Sequence, residues 1–134
     1  VKLPLVRDIS GREGFKNLLV ALYSTEVKPY ELKKVFKDKL LARYIDVIAE
    51  LKKGRELVLD VTDSRLPDVD ELLKILCGEP TDTRVSEGEA ERVVEKLYKF
   101  KDMRGREVTV ARKTVIDRYS NRAKHVIVSL STTT

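Results

Sequence analysis

The sequence predicts an α+β fold: a helical N-terminal part followed by a small antiparallel β-meander at the C-terminus. Two patterns lead there. Between residues 11 and 53 apolar side chains recur at i, i+3, i+4 and i+7, the spacing of helices with one buried face. After residue 106 the chain is rich in β-branched residues in short alternating runs, which suit strands. Polar, turn-forming residues separate these segments.

The first helix is predicted over 11–24. Ser10 and Glu13 have capping-box spacing, and Phe15, Leu18, Leu19, Leu22 and Tyr23 form one stripe. Pro29 suits the first turn of a second helix over 29–36, with Leu32, Val35 and Phe36 as its apolar face. Residues 37–39 make a tight turn with Asp38 as N-cap. The third helix, over 39–53, buries Leu40, Leu41, Tyr44, Ile45, Ile48 and Leu51. Gly54 ends it, while Lys52, Lys53 and Arg55 complement the negative end of its dipole. Residues 56–61 alternate as a half-buried strand.

Asp68 is the expected N-cap of a short fourth helix through Leu76, stopped by Gly78. Residues 79–85 are the longest polar passage and the best boundary between a helical part, 1–78, and a second part, 86–134. One compact domain is equally compatible with the pattern. Ser86 and Glu89 offer another capping box, and Ala90, Val93, Val94, Leu97 and Tyr98 then read as a fifth amphipathic helix ending near Phe100. Strands are expected around Val108–Arg112, Val115–Tyr119 and His125–Leu130, with a turn at 120–124. A helix over 109–123 is the competing reading of the same apolar spacing.

Composition narrows the chemistry. One histidine, His125, excludes a His-rich metal site and argues against a His-centred triad. One cysteine, Cys77, excludes an internal disulfide and fits a buried structural thiol. The glycines are isolated, so no phosphate-cradling loop is visible. No apolar run approaches the ~20 residues of a membrane span, and the N-terminus lacks a signal-peptide layout. A cytoplasmic, non-enzymatic protein without cofactor is therefore expected. Charged residues make up 37% of the chain, well above the usual ~25%. With few thermolabile residues, that composition points to a thermophilic archaeon or its virus.

The net charge of +5 is segregated: +1 over 1–27, +5 over 28–55, −8 over 56–91 and +7 over 92–134. Two outcomes are open. The blocks either create fields that steer charged partners or fold against each other and cancel. Arg104, Arg106, Arg112, Lys113, Arg118, Arg122 and Lys124 fall on the predicted meander and its turns, the positions from which cations reach phosphates. Arg106 and Arg112 share the parity of Val108 and Val110, which would give one mixed apolar–basic face. Tyr98, Phe100 and Tyr119 lie near enough in sequence to stack on bases. Asp60, Asp63, Asp68, Asp70 and Glu71 form the one carboxylate cluster of interest; helix capping and solvation account for it without a metal.

In the order and length of its pieces, 11–62 resembles a winged helix–turn–helix module: helices over 11–24, 29–36 and 39–53, then 56–61 as the first wing strand. The resemblance implies that the third helix reads DNA through Lys39, Arg43, Asp46 and Glu50, with Arg43 on a guanine edge and Lys39 on phosphate. The acidic Asp46 and Glu50, and the acidic tip at 60–63, depart from the basic surface of that family.

The first functional expectation is nucleic-acid binding, to DNA or RNA, through Lys39, Arg43, Arg104, Arg106, Arg112, Lys113, Arg118, Arg122 and Lys124. The second is a small protein-interaction subunit of a larger nucleoprotein complex, for example an archaeal RNA-guided effector complex, with protein partners or self-association. The third is a metal-dependent nuclease using Asp60 and Asp63.

Overall fold

The computed structural model describes residues 12–25, 28–35, 39–54 and 56–132. The expectations for Ser10, Phe36, Asp38 and Arg55 lie outside these residues. The elements run α1 (Arg12–Ser24), α2 (Pro29–Val35), α3 (Lys39–Lys52), β1 (Leu57–Asp60), α4 (Leu66–Cys77), β2 (Asp82–Glu87), β3 (Glu91–Lys101), β4 (Glu107–Asp117) and β5 (Arg122–Thr132). The architecture is α+β: among the described residues, four helices and one five-stranded antiparallel sheet of order β1-β5-β4-β3-β2.

Alternation decides which face of the sheet the helices cover. Directly opposed residues point the same way, and the register aligns Phe100 with Val108, Tyr98 with Val110 and Leu130, and Leu57 with Val128. With Leu59 and Val126, these side chains form the helix-facing layer. They join Leu18, Leu19, Leu22, Leu41, Tyr44, Ile48, Leu72, Leu73 and Leu76 in one apolar cluster. α4 lies against β3 and α3 against β5. Tyr23 of α1 packs edge-on against Phe100, ring centroids 5.2 Å apart. Cys77 borders the same cluster, and burial pushes its thiol up to about 12, so it stays protonated at neutral pH.

The segment expected as a fifth helix is instead β2, a turn and β3. The spacing of Val93, Val94, Leu97 and Tyr98 fits a helix, but the same residues serve both faces of a strand. Val94 and Tyr98 share the helix-facing parity, while Val93 and Leu97 point to the opposite face, opposite Val115 and Ala111. An 11-residue neighbour, β4, gives every residue of β3 a ladder partner, and this pairing overrides the local pattern. Consequently Ser86 lies in β2 and caps nothing. The competing helix over 109–123 is likewise not formed. The two strands expected there are one, β4, and the turn is at 118–121 rather than 120–124. Asn121 takes the left-handed conformation at that turn (φ 57°), and Asp117 fastens it by accepting from the Tyr119 amide and the Ser120 hydroxyl. α4 begins at Leu66 with Pro67 in its first turn, so Asp68 lies inside the helix rather than at its N-cap.

The turn between β3 and β4 fastens the sheet to α1. Asp102 is buried there, and its Oδ1 accepts from the backbone N–H groups of Arg104 and Arg106, both at 2.9 Å. Its Oδ2 accepts from Arg106 Nε, also at 2.9 Å. One residue on, the Met103 amide donates to Ser24 Oγ at the end of α1. Gly105, at φ 78°, closes the turn in a conformation that a side chain would strain.

Leu72 is fully buried between α4 and the sheet, so Leu72→Ala should lower unfolding free energy by about 2–5 kcal/mol. Urea titration would show a lower midpoint with an unchanged m-value. Burial works against ionisation of Asp102, but the hydrogen bonds from Arg106 and Arg104 outweigh it and hold its carboxyl below the usual range. The folded state therefore gains stability from ionised Asp102 above the unfolded pKa of about 4, and loses it as pH falls through the lower folded value. Asp102→Asn should be less stable than the parent at pH 7, with a shallower loss of stability in acid, measured by urea midpoints from pH 7 to 2.

Candidate nucleic-acid interface

Folding brings the acidic block onto the basic one. Arg112 of β4 donates through Nε and Nη2 to the two carboxylate oxygens of Asp70 in α4, at 2.7 and 3.2 Å. Its side chain is only 16% exposed, and its Nη1 also reaches Thr114 Oγ1. Lys124 meets Glu91 at 2.8 Å, and Arg118 meets Glu87 at 3.7 Å while donating to the Gly88 carbonyl at 2.6 Å. Arg92 also binds Glu87, at 2.7 Å. Lys113 lies 3.7 Å from Glu95, and Arg43 of α3 lies 3.7 Å from Asp68 of α4. Six of the nine residues expected to contact phosphate thus have an acidic neighbour: Arg43, Arg106, Arg112, Lys113, Arg118 and Lys124. Lys39, Arg104 and Arg122 are exposed and have no ion-pair partner among the described residues.

These residues do not form one face. Arg118, Arg122 and Lys124 sit at the β4–β5 end of the sheet, where Glu87, Glu89, Glu91 and Asp117 balance them. Arg104 and Arg106 sit at the β3–β4 end, one strand length away, about 35 Å for 11 residues. Arg112 and Lys113 point to opposite faces midway. The expected mixed apolar–basic face is the helix-covered one: Val108 and Val110 are in the core and Arg112 is held against α4. Of the aromatics, Phe100 is buried and Tyr98 packs against the core, so neither is available to bases. Tyr119 is 85% exposed on the β4–β5 turn.

At the β3–β4 end a cleft of about 210 Å³ opens between the turn and the ends of α1 and α3. Tyr23, Ser24, Thr25, Lys52, Asp102, Arg104 and Arg106 line it. Lys52 Nζ donates to the Thr25 carbonyl and lies 6.0 Å from the centre of the Tyr23 ring. The cleft gathers three cations and one carboxylate. That carboxylate, Asp102, is inward-facing and already engaged with Arg106. Lys99 and Lys101 flank it on β3, with Glu107 paired to Lys99 at 3.3 Å. A positively charged, concave site with guanidinium and ammonium donors from more than one element has the chemistry to bind a phosphate group.

Lys52 was not among the residues expected at an interface; in sequence it reads as a helix-end charge. What brings it to Arg104 is the anchoring of the β3–β4 turn on Ser24, a contact across 79 positions that no local pattern announces.

The exposed side of α3, which the winged-helix resemblance assigns to DNA, faces a different feature. Arg43, Asp46 and Glu50 line a groove of about 560 Å³ with Lys53, Ser64, Arg65 and Asp68, over Val47, Ala49 and Leu57. The groove carries three cations and three carboxylates. The strand after α3 is present as β1, but it pairs with β5 and is followed by α4.

The carboxylates considered for a metal are occupied locally. Asp60 Oδ1 accepts from both the amide and the hydroxyl of Thr62, which hold its carboxyl below the usual range. Asp63 binds the Arg65 guanidinium at 3.0 Å and accepts from the Arg65 amide, with the same effect. Asp70 is bound to Arg112. No group of three or more potential metal ligands occurs among the described residues. No described helix is long and apolar enough to cross a membrane. The chain matches no family model, no curated protein and no solved structure.

Proposed function

We propose that this protein binds nucleic acid without catalysing its chemistry, and that the β3–β4 end of the sheet carries the phosphate contacts. The observation behind this reading is the cleft in which Arg104, Arg106 and Lys52 converge while Asp102 is turned inward. Arg104 is the residue best suited to a phosphate, since its guanidinium has no ion-pair partner among the described residues. Arg106 is shared with Asp102, and Lys52 supplies charge from the end of α3. Phosphate binding of this kind is insensitive to base identity and falls steeply with salt.

A second reading, a subunit that docks on protein partners in a nucleoprotein complex, is favoured by the mixed-charge groove along α3. The two differ in which surface matters.

Fluorescence anisotropy with single- and double-stranded DNA and RNA, at two or more salt concentrations, tests the proposal. Binding should appear at low salt. Arg104→Ala removes one cation from the phosphates, so the slope of log K against log salt should fall by about one, with an unchanged urea midpoint. Arg122→Ala, at the other end of the sheet, should leave the slope unchanged. Absence of binding to any of these at low salt, or an equal effect from Arg122→Ala, would refute it.

A further inference from the structure

Among the described residues the sheet has a free margin at β2, the outermost strand beside β3. All six of its residues, DTRVSE, are exposed. No proline or lysine interrupts it, whereas the opposite margin, β1, is only four residues long. The hydrogen-bond phase of β2 can be read from its end. The Gly88 amide donates to the Glu91 carbonyl at 2.8 Å, continuing the β2–β3 register. In an antiparallel ladder, alternate residues exchange bonds with the same neighbour. Arg84 and Ser86 therefore turn their backbone groups to β3, and Thr83, Val85 and Glu87 turn theirs outward. The outward Thr83 amide is held by Asp82 Oδ1 at 2.9 Å, as expected for a group without a strand partner.

We propose that β2 pairs with β2 of a second copy of this chain, antiparallel about a two-fold axis at Val85, joining two five-stranded sheets into one of ten. Four registers compete, and three are worse. An axis at Thr83 requires the amides that Asp82 already holds. An axis at Arg84 sets two guanidinium groups directly opposite each other. An axis at Ser86 places Val85 against Glu87 of the second copy. The axis at Val85 opposes Val85 to itself, Arg84 to Ser86 and Thr83 to Glu87, so no like charges face directly. It buries the Val85 side chain, which is 57% exposed in the single chain. It forms four main-chain bonds: Val85 amides and carbonyls exchange two, and each Glu87 amide donates to the Thr83 carbonyl of the other copy. The ion pair of Arg84 with Asp82, 3.2 Å, and those of Glu87 with Arg92 and Arg118 lie within one chain and survive the pairing.

Sedimentation equilibrium and oxidative cross-linking of the full chain test this. The protein should show a concentration-dependent dimer. Val85→Pro removes only an outward amide, leaving the β2–β3 ladder its own bonds. It should weaken the dimer at least about tenfold, since two main-chain bonds between the copies disappear, with little change in the urea midpoint. In a Cys77→Ala background, Val85→Cys should form a disulfide-linked dimer. Opposed residues of a hydrogen-bonded pair have Cα atoms about 5.5 Å apart, within disulfide range. Ser86→Cys and Thr83→Cys in the same background should not. A strictly monomeric protein at all concentrations, a dimer indifferent to Val85→Pro, or cross-linking at Thr83 or Ser86 in place of Val85 would overturn the proposal.

Discussion

The rest of the structure depends on how far short helices can cover a sheet whose three central strands are 11 residues long. On β3 and β4 the apolar cover extends to Tyr98 and Val110. The next residue of that parity on β4 is Arg112, and it reaches back to Asp70 on α4. A mostly buried guanidinium needs such a partner, because an unpaired charge at that depth would be costly. The pair therefore marks where the core stops. Beyond it, residues 91–97 of β3 are partly exposed on both faces of the sheet, and β2 is exposed throughout. The surfaces best placed for docking lie past that limit or at the opposite end, where the β3–β4 turn closes on α1.

Charge follows the same geometry. The blocks of −8 and +7 that stand apart in sequence largely meet in space, through Asp70 with Arg112, Glu87 with Arg118 and Glu91 with Lys124. Of the two outcomes open from sequence, cancellation is the dominant one along the sheet and at the β4–β5 end. Exposed pairs of this sort add little to stability, with medians of about 0–1 kcal/mol. Their main effect is to remove the field that a long basic segment would otherwise project. The β3–β4 end escapes because the acid that lines its cleft, Asp102, is consumed in building the turn, and Glu107 is paired with Lys99.

The helical half was legible in the sequence because its signals are local. The stripes of Leu18, Leu19 and Leu22, and of Leu41, Tyr44, Ile45 and Ile48, lie within single helices, and the C-terminal ends of α1 and α3 fall within one residue of the expected ones. β5 and both halves of β4 were visible as short alternating runs, though the halves were read as two strands. The error at residues 86–100 has a physical source. Val93, Val94, Leu97 and Tyr98 satisfy helical spacing, and only their register against Val115, Thr114, Ala111 and Val110 makes them a strand. That information resides in residues some 12 to 22 positions further on. The candidate site was half legible. Arg104 and Arg106 stood out as turn cations, but their companion Lys52 is joined to them by Ser24 and Met103, a contact invisible to any window of sequence.

The pairing of β1 with β5 constrains the order in which the chain can fold. Leu57 is opposite Val128 and Asp60 is opposite His125, so the shortest strand closes a loop of more than 60 residues. The adjacent hairpins β2–β3, β3–β4 and β4–β5 each close through turns of a few residues and can form early at small entropic cost. β1 has no partner until β5 exists, and until then Leu57 and Leu59 cannot reach their buried places between α3 and the sheet. During synthesis α1, α2 and α3 leave the ribosome well before β5, yet their apolar faces must wait for that strand before the cover over the sheet can close.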